Sequence, residues 1–368
     1  MSTSRTAPSP PAVSQRIPLW DNARFLCVAL VVIDHAVLPL TANNDHAFVV
    51  YLFIHGFHIP AFAMISGYFS KAGPSSARRM KKILTDILLP YVIMQTIWTV
   101  VQYLVDGSAS ANLTAPHWTL WFLLALGIFR LILPYLVLLR WPLVWSILFS
   151  IGVGYLSNVG ATFSLARAIG LLPFFLLGWQ FRQWKLVEKW GVVERQAWLI
   201  RVIAVAIFVA WGCSIAFFIP FWRSLSVHWF LYDNSYTSLG QDDWWAGLVR
   251  LGFLGLAAVL SAAFFVLVPR SPTWITDFGQ ATMYIYLLHS FVLYPLLKSG
   301  ILRQTPSPDW LLLALVLAGI AISIALASPL VRKVFRPLIE PKPRWLFVDI
   351  DDNPTGPSRT DPTGSRRD

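Results

Sequence analysis

Long apolar stretches, separated by short polar segments, follow one another along almost the whole chain. Each stretch has room for a helix that crosses a lipid bilayer, which takes about 17–25 residues. The pattern predicts about ten transmembrane helices, at about residues 22–40, 47–69, 83–105, 118–139, 141–157, 164–181, 197–219, 244–268, 278–298 and 309–331. The third contains Asp86 and Pro90, and the fifth is short. An all-α, polytopic membrane protein is therefore expected.

Polar segments flank this apolar region at both ends of the chain. Residues 1–18 are predicted to be a disordered tail. They are not expected to be a cleaved signal peptide, because no apolar core precedes a small-residue cleavage site. Residues 346–368 are likewise predicted to be disordered. Residues 19–345 are expected to form one membrane domain, since the length leaves no room for a second sizeable core.

Composition and charge agree with a membrane protein. Of the 368 residues, 56% are hydrophobic and 13% are charged, whereas soluble domains carry about 25% charged residues. The net charge is +11, and its cations concentrate in alternate connecting segments. The segment KAGPSSARRMKK after the second span holds five cations, and TANNDHA after the first holds none. Because cytoplasmic loops collect Lys and Arg, both termini are expected in the cytoplasm, with the protein in the inner (plasma) membrane.

Two other interpretations of the composition are not favoured. Binding to nucleic acid is not expected, because it needs a basic face on a folded soluble module. Cys27 and Cys213 both lie within apolar spans, so they provide neither a disulfide framework nor the spacing of zinc ligands.

The first span, within RFLCVALVVIDHAV (residues 24–37), carries ionisable residues that are costly to bury in a bilayer. Arg24 and His35 are eleven residues apart, so they share one helix face at a separation of about 16 Å. Asp34 points about 100° away from His35 and is not expected to be a direct partner of its ring. Two interpretations stay open: an interfacial pair of Asp21 and Arg24 with a structural histidine, or a functional polar site.

Two further spans bring histidines to a similar depth. With the N-terminus inside, His35 lies about 20 Å, and His58 and His289 about 16 Å, from the cytoplasmic edge. Ser66 shares the face of His58, and Tyr286 lies on the side of His289. We interpret the three imidazoles as acid–base groups of a central polar pore, since histidine titrates near neutral pH. Structural hydrogen bonds and a metal site are the alternatives; no metal is expected, because the histidines form no compact ligand motif.

Cations within the spans and at their cytoplasmic ends need anionic partners. Arg130, in the fourth span, either pairs with an acid such as Asp86 or, like Arg167 near the outer end of the sixth, belongs to a wall that binds an anion. The run ARRMKKI carries Arg78, Arg79, Lys81 and Lys82 at the cytoplasmic surface. It is either a topological signal that contacts lipid headgroups or a site for an anionic cytosolic cofactor that carries phosphates.

Six stretches, in order, resemble the integral membrane acyltransferase-3 family, particularly its fucose 4-O-acetylase-like branch. They are DNARFLCVALVVIDHA, FHIPAFAMISGYF, ARRMKKILTDILLPYV, HWTLWFLLAL, GLLPFFLLG and FGQATMYIYLLH. The first is similar to the family's Asp-x-x-Arg opening and its Arg-x10-His motif, at Arg24 and His35. In the third, Lys stands where the family often has a second Arg. The resemblance covers about residues 20–300 and corresponds to the membrane module without an appended soluble domain.

The resemblance implies transfer of an acyl group, usually acetyl, from cytosolic acetyl-CoA or another acyl-CoA to a hydroxyl of a cell-envelope sugar, glycan or glycolipid. His35 would remove the proton of the acceptor or carry the acetyl group transiently. Asp34 would tune it through an indirect contact, and Arg24 would hold an anion. His58 and His289 would orient groups or stabilise the oxyanion of the thioester by donating hydrogen bonds.

The resemblance also assigns binding roles. The phosphates of CoA would meet Arg78, Arg79, Lys81, Lys82 and Arg130. The acceptor would meet Trp118, Trp121, Tyr286, Ser66 and Arg167, although Trp residues at a membrane interface have the same appearance. Membrane lipids are the other expected partners. The sequence does not define the acceptor, the length of the acyl chain or the oligomeric state.

Two other classes of function stay open. A transporter or flippase of an anionic lipid or sugar would also use many helices with internal arginines and histidines, but neither an internal repeat nor a pair of broken helices is apparent. A structural or regulatory membrane protein would use the fold without catalysis.

Overall fold

The computed structural model describes residues 17–73, 76–108, 111–160, 162–186, 197–303, 307–343 and 345–346. Within these ranges the α-helices are α1 (Pro18–Val37), α2 (Asp45–His55), α3 (His58–Tyr68), α4 (Ala77–Ile83), α5 (Leu89–Asp106), α6 (Trp121–Leu136), α7 (Pro142–Val153), α8 (Leu165–Gln183), α9 (Ala197–Phe217), α10 (Ile219–Ser224), α11 (His228–Leu231), α12 (Ala246–Leu267), α13 (Thr282–Lys298), α14 (Asp309–Leu326) and α15 (Pro329–Ile339). The two predicted polar tails lie almost entirely outside the described residues.

Seven helical stretches of the described chain are long and apolar enough to cross a membrane. They are Pro18–Leu40, Asp45–Tyr68, Ala77–Asp106, Thr162–Gln183, Trp198–Phe217, Ala246–Leu267 and Asp309–Leu326. Three further predicted spans contain the shorter helices α6, α7 and α13. With 12 residues, α7 is about 18 Å long, which is less than the roughly 30 Å of a hydrocarbon core. The all-helical membrane class is therefore confirmed, whereas the number of ten spans is not.

The second span is interrupted in its middle. α2 ends at His55 and α3 begins at His58, and residues 56–57 form a turn between them. An interruption frees backbone carbonyls, which must find donors other than water inside a membrane. The indole Nε1 of Trp211 donates to the carbonyl of Phe53 at 3.2 Å. The span predicted at residues 47–69 is therefore present, but it is divided into two helices, and the break places one histidine on each side of the turn.

α1 lies at the centre of the bundle, where it packs against α3, α13 and α14. Helices from opposite ends of the sequence therefore meet around the first helix. This arrangement brings the histidines of α1, α3 and α13 within reach of one another.

α3 and α8 approach each other so closely that their backbones touch. A Cβ atom at Gly67 would overlap the carbonyl oxygen of Phe175, and a Cβ atom at Gly178 would overlap that of Met64. Small residues allow helix backbones to approach in this way inside membranes. The contact fixes α3, with the histidine of its first turn, against α8.

Candidate functional site

Two histidines from distant parts of the chain are in direct contact at the centre of the bundle. His35, near the end of α1, lies with its Nδ1 3.2 Å from the Nε2 of His289 on α13. The two rings are stacked, with centroids 5.3 Å apart and planes inclined by 11°. His35 and His289, which were predicted to lie at a similar depth, are therefore in direct contact.

The hydrogen bonds around this pair define the state of each ring when both are neutral. The Nδ1 of His289 lies 3.0 Å from the carbonyl oxygen of Ile285, which can only accept, so that nitrogen carries the proton. The Nε2 of His289 is then an acceptor, and the Nδ1 of His35 donates to it. His35 consequently keeps the lone pair of its Nε2, and no described residue bonds to this atom. An imidazole nitrogen in this state is suited to accept a proton.

The ring of His35 is half-buried, whereas His289 is fully buried. The indole of Trp118 lies beside the ring of His35, with centroids 5.2 Å apart. The backbone of Trp118 has φ 36°, a value that costs a non-glycine residue energy and that persists only where the surroundings hold it. Trp118 therefore packs against the proposed base in a backbone conformation that its surroundings hold.

A buried glutamine on α5 holds the segment that presents Trp118. The amide nitrogen of Gln95 donates to the carbonyls of Asn112 and Ala115, each at 2.9 Å. Its amide oxygen accepts from the backbone N–H of His117 at 2.9 Å. Burial lowers the pKa of the neighbouring His117 imidazole, which lies in this loop. Gln95 thus holds the loop that precedes Trp118, up to the adjacent residue His117.

A second polar cluster lies beside the histidine pair. The Nδ1 of His55 donates to the carboxylate of Asp34 at 3.1 Å, and both side chains are buried. His58 donates through its own Nδ1 to the carbonyl of Ile54 at 2.9 Å. The direct partner of Asp34 is therefore His55 and not its neighbour His35, as the direction of their side chains on α1 predicts.

The same cluster has the composition of a metal site. The ligand atoms of Asp34, His55 and His58 lie within 4.8 Å of one another. One carboxylate and two imidazoles form a set that zinc accepts, with a further position open. The Asp34–His55 hydrogen bond gives these residues a role without an ion, and both arrangements are chemically reasonable.

An open cavity is lined in part by Trp118. It has a volume of about 470 Å³, and its lining includes Trp118, Trp121, Arg167, Asp233 and Ser235. Arg167 donates to the carboxylate of Asp233 at 2.6 and 3.2 Å, and its guanidinium lies 4.8 Å from the ring centroid of Trp121. An aromatic face beside a paired carboxylate and guanidinium can stack on a sugar ring and bind its hydroxyls.

Asp233 also binds a histidine. The Nδ1 of His228, on the short helix α11, lies 2.8 Å from its carboxylate. The partner of Arg167 is thus an acid in the loop after α11, which sequence reasoning did not identify.

Two residues expected to bind the acceptor use their hydroxyls within the protein. Tyr286 is buried and donates to the carbonyl of Thr119, and its ring centroid lies 6.3 Å from that of His289. Ser66 is half-buried and donates to the carbonyl of Phe62 at 3.0 Å. Both hydroxyls are satisfied by backbone carbonyls in this arrangement.

The cations expected to bind the donor occupy other parts of the bundle. Arg24 contacts Asp21 at 3.3 Å and lies 4.2 Å from the ring centroid of Phe69. Its ion pair with Asp21 is the one expected from their spacing. Arg130, on α6, is half-buried and forms no ion pair with any described residue, although the charge of Asp86 acts on it.

The basic run on α4 faces outward from the bundle. Arg78 and Lys82 are exposed, and Arg79 and Lys81 are partly so. Arg79 donates to the carbonyl of Gly73. No described contact joins this run to the histidines.

Comparison with known proteins assigns the chain to a known class. A family model described as "Acyltransferase domain" matches residues 17–332. The nodulation protein NolL of Mesorhizobium japonicum is 27% identical over 222 residues, which are 55% of this chain and 58% of that protein. The chain therefore spans less than two thirds of the length of this curated relative. No solved structure matches the chain.

Proposed function

The chain belongs to the acyltransferase-3 family, and from this premise we propose that it is a membrane O-acyltransferase. It transfers an acetyl or other acyl group from cytosolic acyl-CoA to a hydroxyl of a cell-envelope sugar, glycan or glycolipid. The observation that carries the proposal is the free Nε2 of His35, which the bond to His289 leaves unprotonated.

The proposed reaction begins when His35 Nε2 takes the proton of the acceptor hydroxyl. The oxygen attacks the carbonyl carbon of the thioester, and the tetrahedral intermediate expels the CoA thiolate, which takes up the proton. In the second variant, His35 Nε2 attacks the thioester and takes the acetyl group while the CoA thiolate leaves; the acceptor oxygen then takes the acetyl group from the ring, and the acceptor's proton passes to the thiolate. In both variants the Nδ1 of His35 keeps its bond to His289, so the ring does not turn during the reaction.

The hydrogen bonds also favour one role for His289. Both of its ring nitrogens are used, one by His35 and the other by the carbonyl of Ile285. We therefore assign His289 to the orientation of His35 and not to the oxyanion role that the resemblance implied. The Nδ1 of His58 donates to the carbonyl of Ile54, so the Nε2 of the neutral ring can only accept and does not donate to an oxyanion.

The cavity that Trp118 helps to line supports a sugar as acceptor. Its aromatic rings, its paired Arg167 and Asp233 and its serines are side chains that bind hydroxyl-rich molecules.

The proposed topology has about ten spans with both termini in the cytoplasm of the plasma membrane. The distribution of cations supports this orientation. It puts the basic run of α4 on the cytoplasmic side, where CoA is found, and the cavity at Trp118 on the outer side. CoA phosphates would then meet Arg78, Arg79, Lys81, Lys82 and Arg130.

The interrupted span of α2 and α3 favours the alternative, a transporter or flippase of an anionic lipid or sugar, since such proteins place binding sites at broken helices. One experiment separates the two. Membranes that contain the protein are supplied with labelled acetyl-CoA, and labelled envelope glycans and glycolipids are measured by mass spectrometry. We expect acetylation by the wild type and a loss of about 10²–10⁴-fold in His35→Ala.

The matched control is His46→Ala, because His46 is exposed and bonds Asp309 far from the centre. Counterflow of a lipid or sugar without consumption of thioester would favour the transporter. Unchanged acetylation in His35→Ala would remove this residue from the mechanism.

A further inference from the structure

A second cavity, with a basic lining, lies where the chain leaves the bundle after α14. Its volume is about 340 Å³, and it is lined by Tyr284, Pro329, Arg332, Lys333, Arg336 and Glu340. All but Tyr284 belong to α15 and the residue that follows it, whereas Tyr284 lies on α13, the helix of His289. The cavity therefore lies between the surface helix α15 and α13, the helix whose His289 bonds to the proposed base.

The local structure holds α15 firmly against the bundle. Ser328 caps its first turn by accepting from the backbone N–H of Val331 at 3.4 Å. At its other end Ile339 is buried. The helix packs against α5, α13 and α14. Arg332 and Lys333 lie on one turn of this helix and Arg336 lies on the next, so the backbone that carries all three belongs to a packed helix.

The charges of the cavity are not balanced within the described residues. Arg336 lies 3.4 Å from Glu340, and Glu340 also accepts from the hydroxyl of Tyr284 at 3.0 Å. Arg332 is half-buried, and neither its guanidinium nor the ammonium of Lys333 forms an ion pair or a side-chain hydrogen bond with any described residue. One carboxylate thus faces three cations, which leaves room for an anion with about two negative charges, such as a phosphate.

From this geometry we propose that the α15 cavity binds phosphate groups of the acyl-CoA donor. The proposal rests on the proposed function, and it adds a binding site that neither the basic run of α4 nor Arg24 provides. Tyr284 precedes His289 by five residues, which is about 8 Å along the axis of α13. A donor anchored at α15 can extend its thioester arm along this helix toward His289 and His35.

The phosphate of an anionic lipid headgroup has the same chemistry, so the test separates the two sources. The protein is reconstituted in nanodiscs of phosphatidylcholine, and equilibrium binding of CoA and of 3′-dephospho-CoA is measured. We expect Arg332→Gln and Lys333→Gln each to weaken the binding of CoA about tenfold, as the loss of one charge-assisted contact does. The matched control is Lys342→Gln, which removes an exposed cation two residues beyond Glu340 that does not line the cavity.

The result with 3′-dephospho-CoA tells which phosphate is bound. If the 3′-phosphate is held by α15, removal of this phosphate weakens binding to the wild type and has a smaller effect in Arg332→Gln. If the diphosphate is held, both ligands lose affinity equally in the variant. Either pattern supports the proposal.

Two results would overturn it. Equal CoA binding by the wild type and by both variants would exclude the cavity as a CoA site. A difference that appears only as altered thermal stability in nanodiscs with phosphatidylglycerol would reassign the cavity to a lipid headgroup.

Failure of this inference is distinguishable from failure of the proposed function. His35→Ala should bind CoA like the wild type while it loses transfer. A wild-type protein that binds no CoA at all would contradict both proposals, whereas binding that does not depend on α15 would contradict only this one.

Discussion

His35 and His289, which are 254 positions apart in the sequence, share a hydrogen bond of 3.2 Å. The bond joins α1 to α13 and fixes which nitrogen of His35 is free. Because the carbonyl of Ile285 determines the proton on His289, the state of the proposed base depends on a backbone atom that no side-chain substitution removes directly.

Substitution of His289 should reveal its orienting role. His289→Leu removes the acceptor for the Nδ1 proton of His35, so we expect kcat to fall about 10–100-fold, the size usual for a residue that orients another, with little change in the KM for acetyl-CoA. His289→Gln should restore much of the rate, because its side-chain oxygen can accept the same proton. Equal losses in the two variants would mean that His289 acts by other means. Steady-state kinetics in purified membranes provide the measurement.

The buried pair of Asp34 and His55 should contribute to stability. Asp34→Ala leaves a buried imidazole N–H without its acceptor, and an unsatisfied buried donor costs about 1–3 kcal/mol. Asp34→Asn keeps an acceptor oxygen and should cost less. Thermal unfolding in detergent is the measurement. His46→Ala is the control, since the Asp309–His46 pair is exposed and its loss should hardly move the unfolding midpoint.

Chelation tests the other role of this cluster. Because the carboxylate of Asp34 is already bonded to His55, we expect acetyl transfer to be unaffected by prolonged treatment with EDTA, and purified protein to contain no stoichiometric metal. Loss of activity that zinc restores, together with about one metal ion per chain by mass spectrometry, would instead identify Asp34, His55 and His58 as ligands.

The cavity lined by Trp118 and Arg167 should determine affinity for the acceptor. Arg167→Ala removes the guanidinium over Trp121 and leaves Asp233 with one partner fewer. We expect the KM for the acceptor to rise about tenfold while kcat changes little.

Arg223, elsewhere in the chain, provides a matched control for Arg167→Ala. Arg223 also donates to an aspartate, Asp45, at 2.8 Å and also lies over an aromatic ring, that of Phe48, at 4.3 Å. It does not line the cavity, so Arg223→Ala should leave the KM unchanged. A similar rise in both variants would indicate a general effect on folding.

Hydropathy predicted the parts of the fold that depend on composition. Apolar runs identified the membrane helices, and counting along them placed His35, His58 and His289 at similar depths. Hydropathy does not report where a helix stops when the sequence on both sides is apolar. The turn between His55 and His58 therefore escaped prediction, whereas the shortness of the fifth span, which contains α7, was apparent from the sequence.

The residues that sequence reasoning missed have partners far away in the chain. Asp233 lies in a loop 66 positions from Arg167, and no spacing rule connects them. Gln95 resembles any polar residue on an apolar helix until its bonds to the loop at residues 112–117 are visible. His55 was identifiable in principle, because it lies one turn from His58 and its spacing allows both to share a face. The direction of Asp34 away from His35 followed from helix geometry alone.

The glycine contact between α3 and α8 limits how such a protein can diversify. His58 is carried by α3 and Arg167 by α8, and their backbones already touch at Gly67 and Gly178. The distance between His58 and Arg167 therefore cannot be adjusted by sliding one helix over the other. A change to a bulkier or smaller acceptor, in evolution or by engineering, would therefore have to alter the loop after α11 that holds Asp233. The packing of α3 against α8 would stay the same.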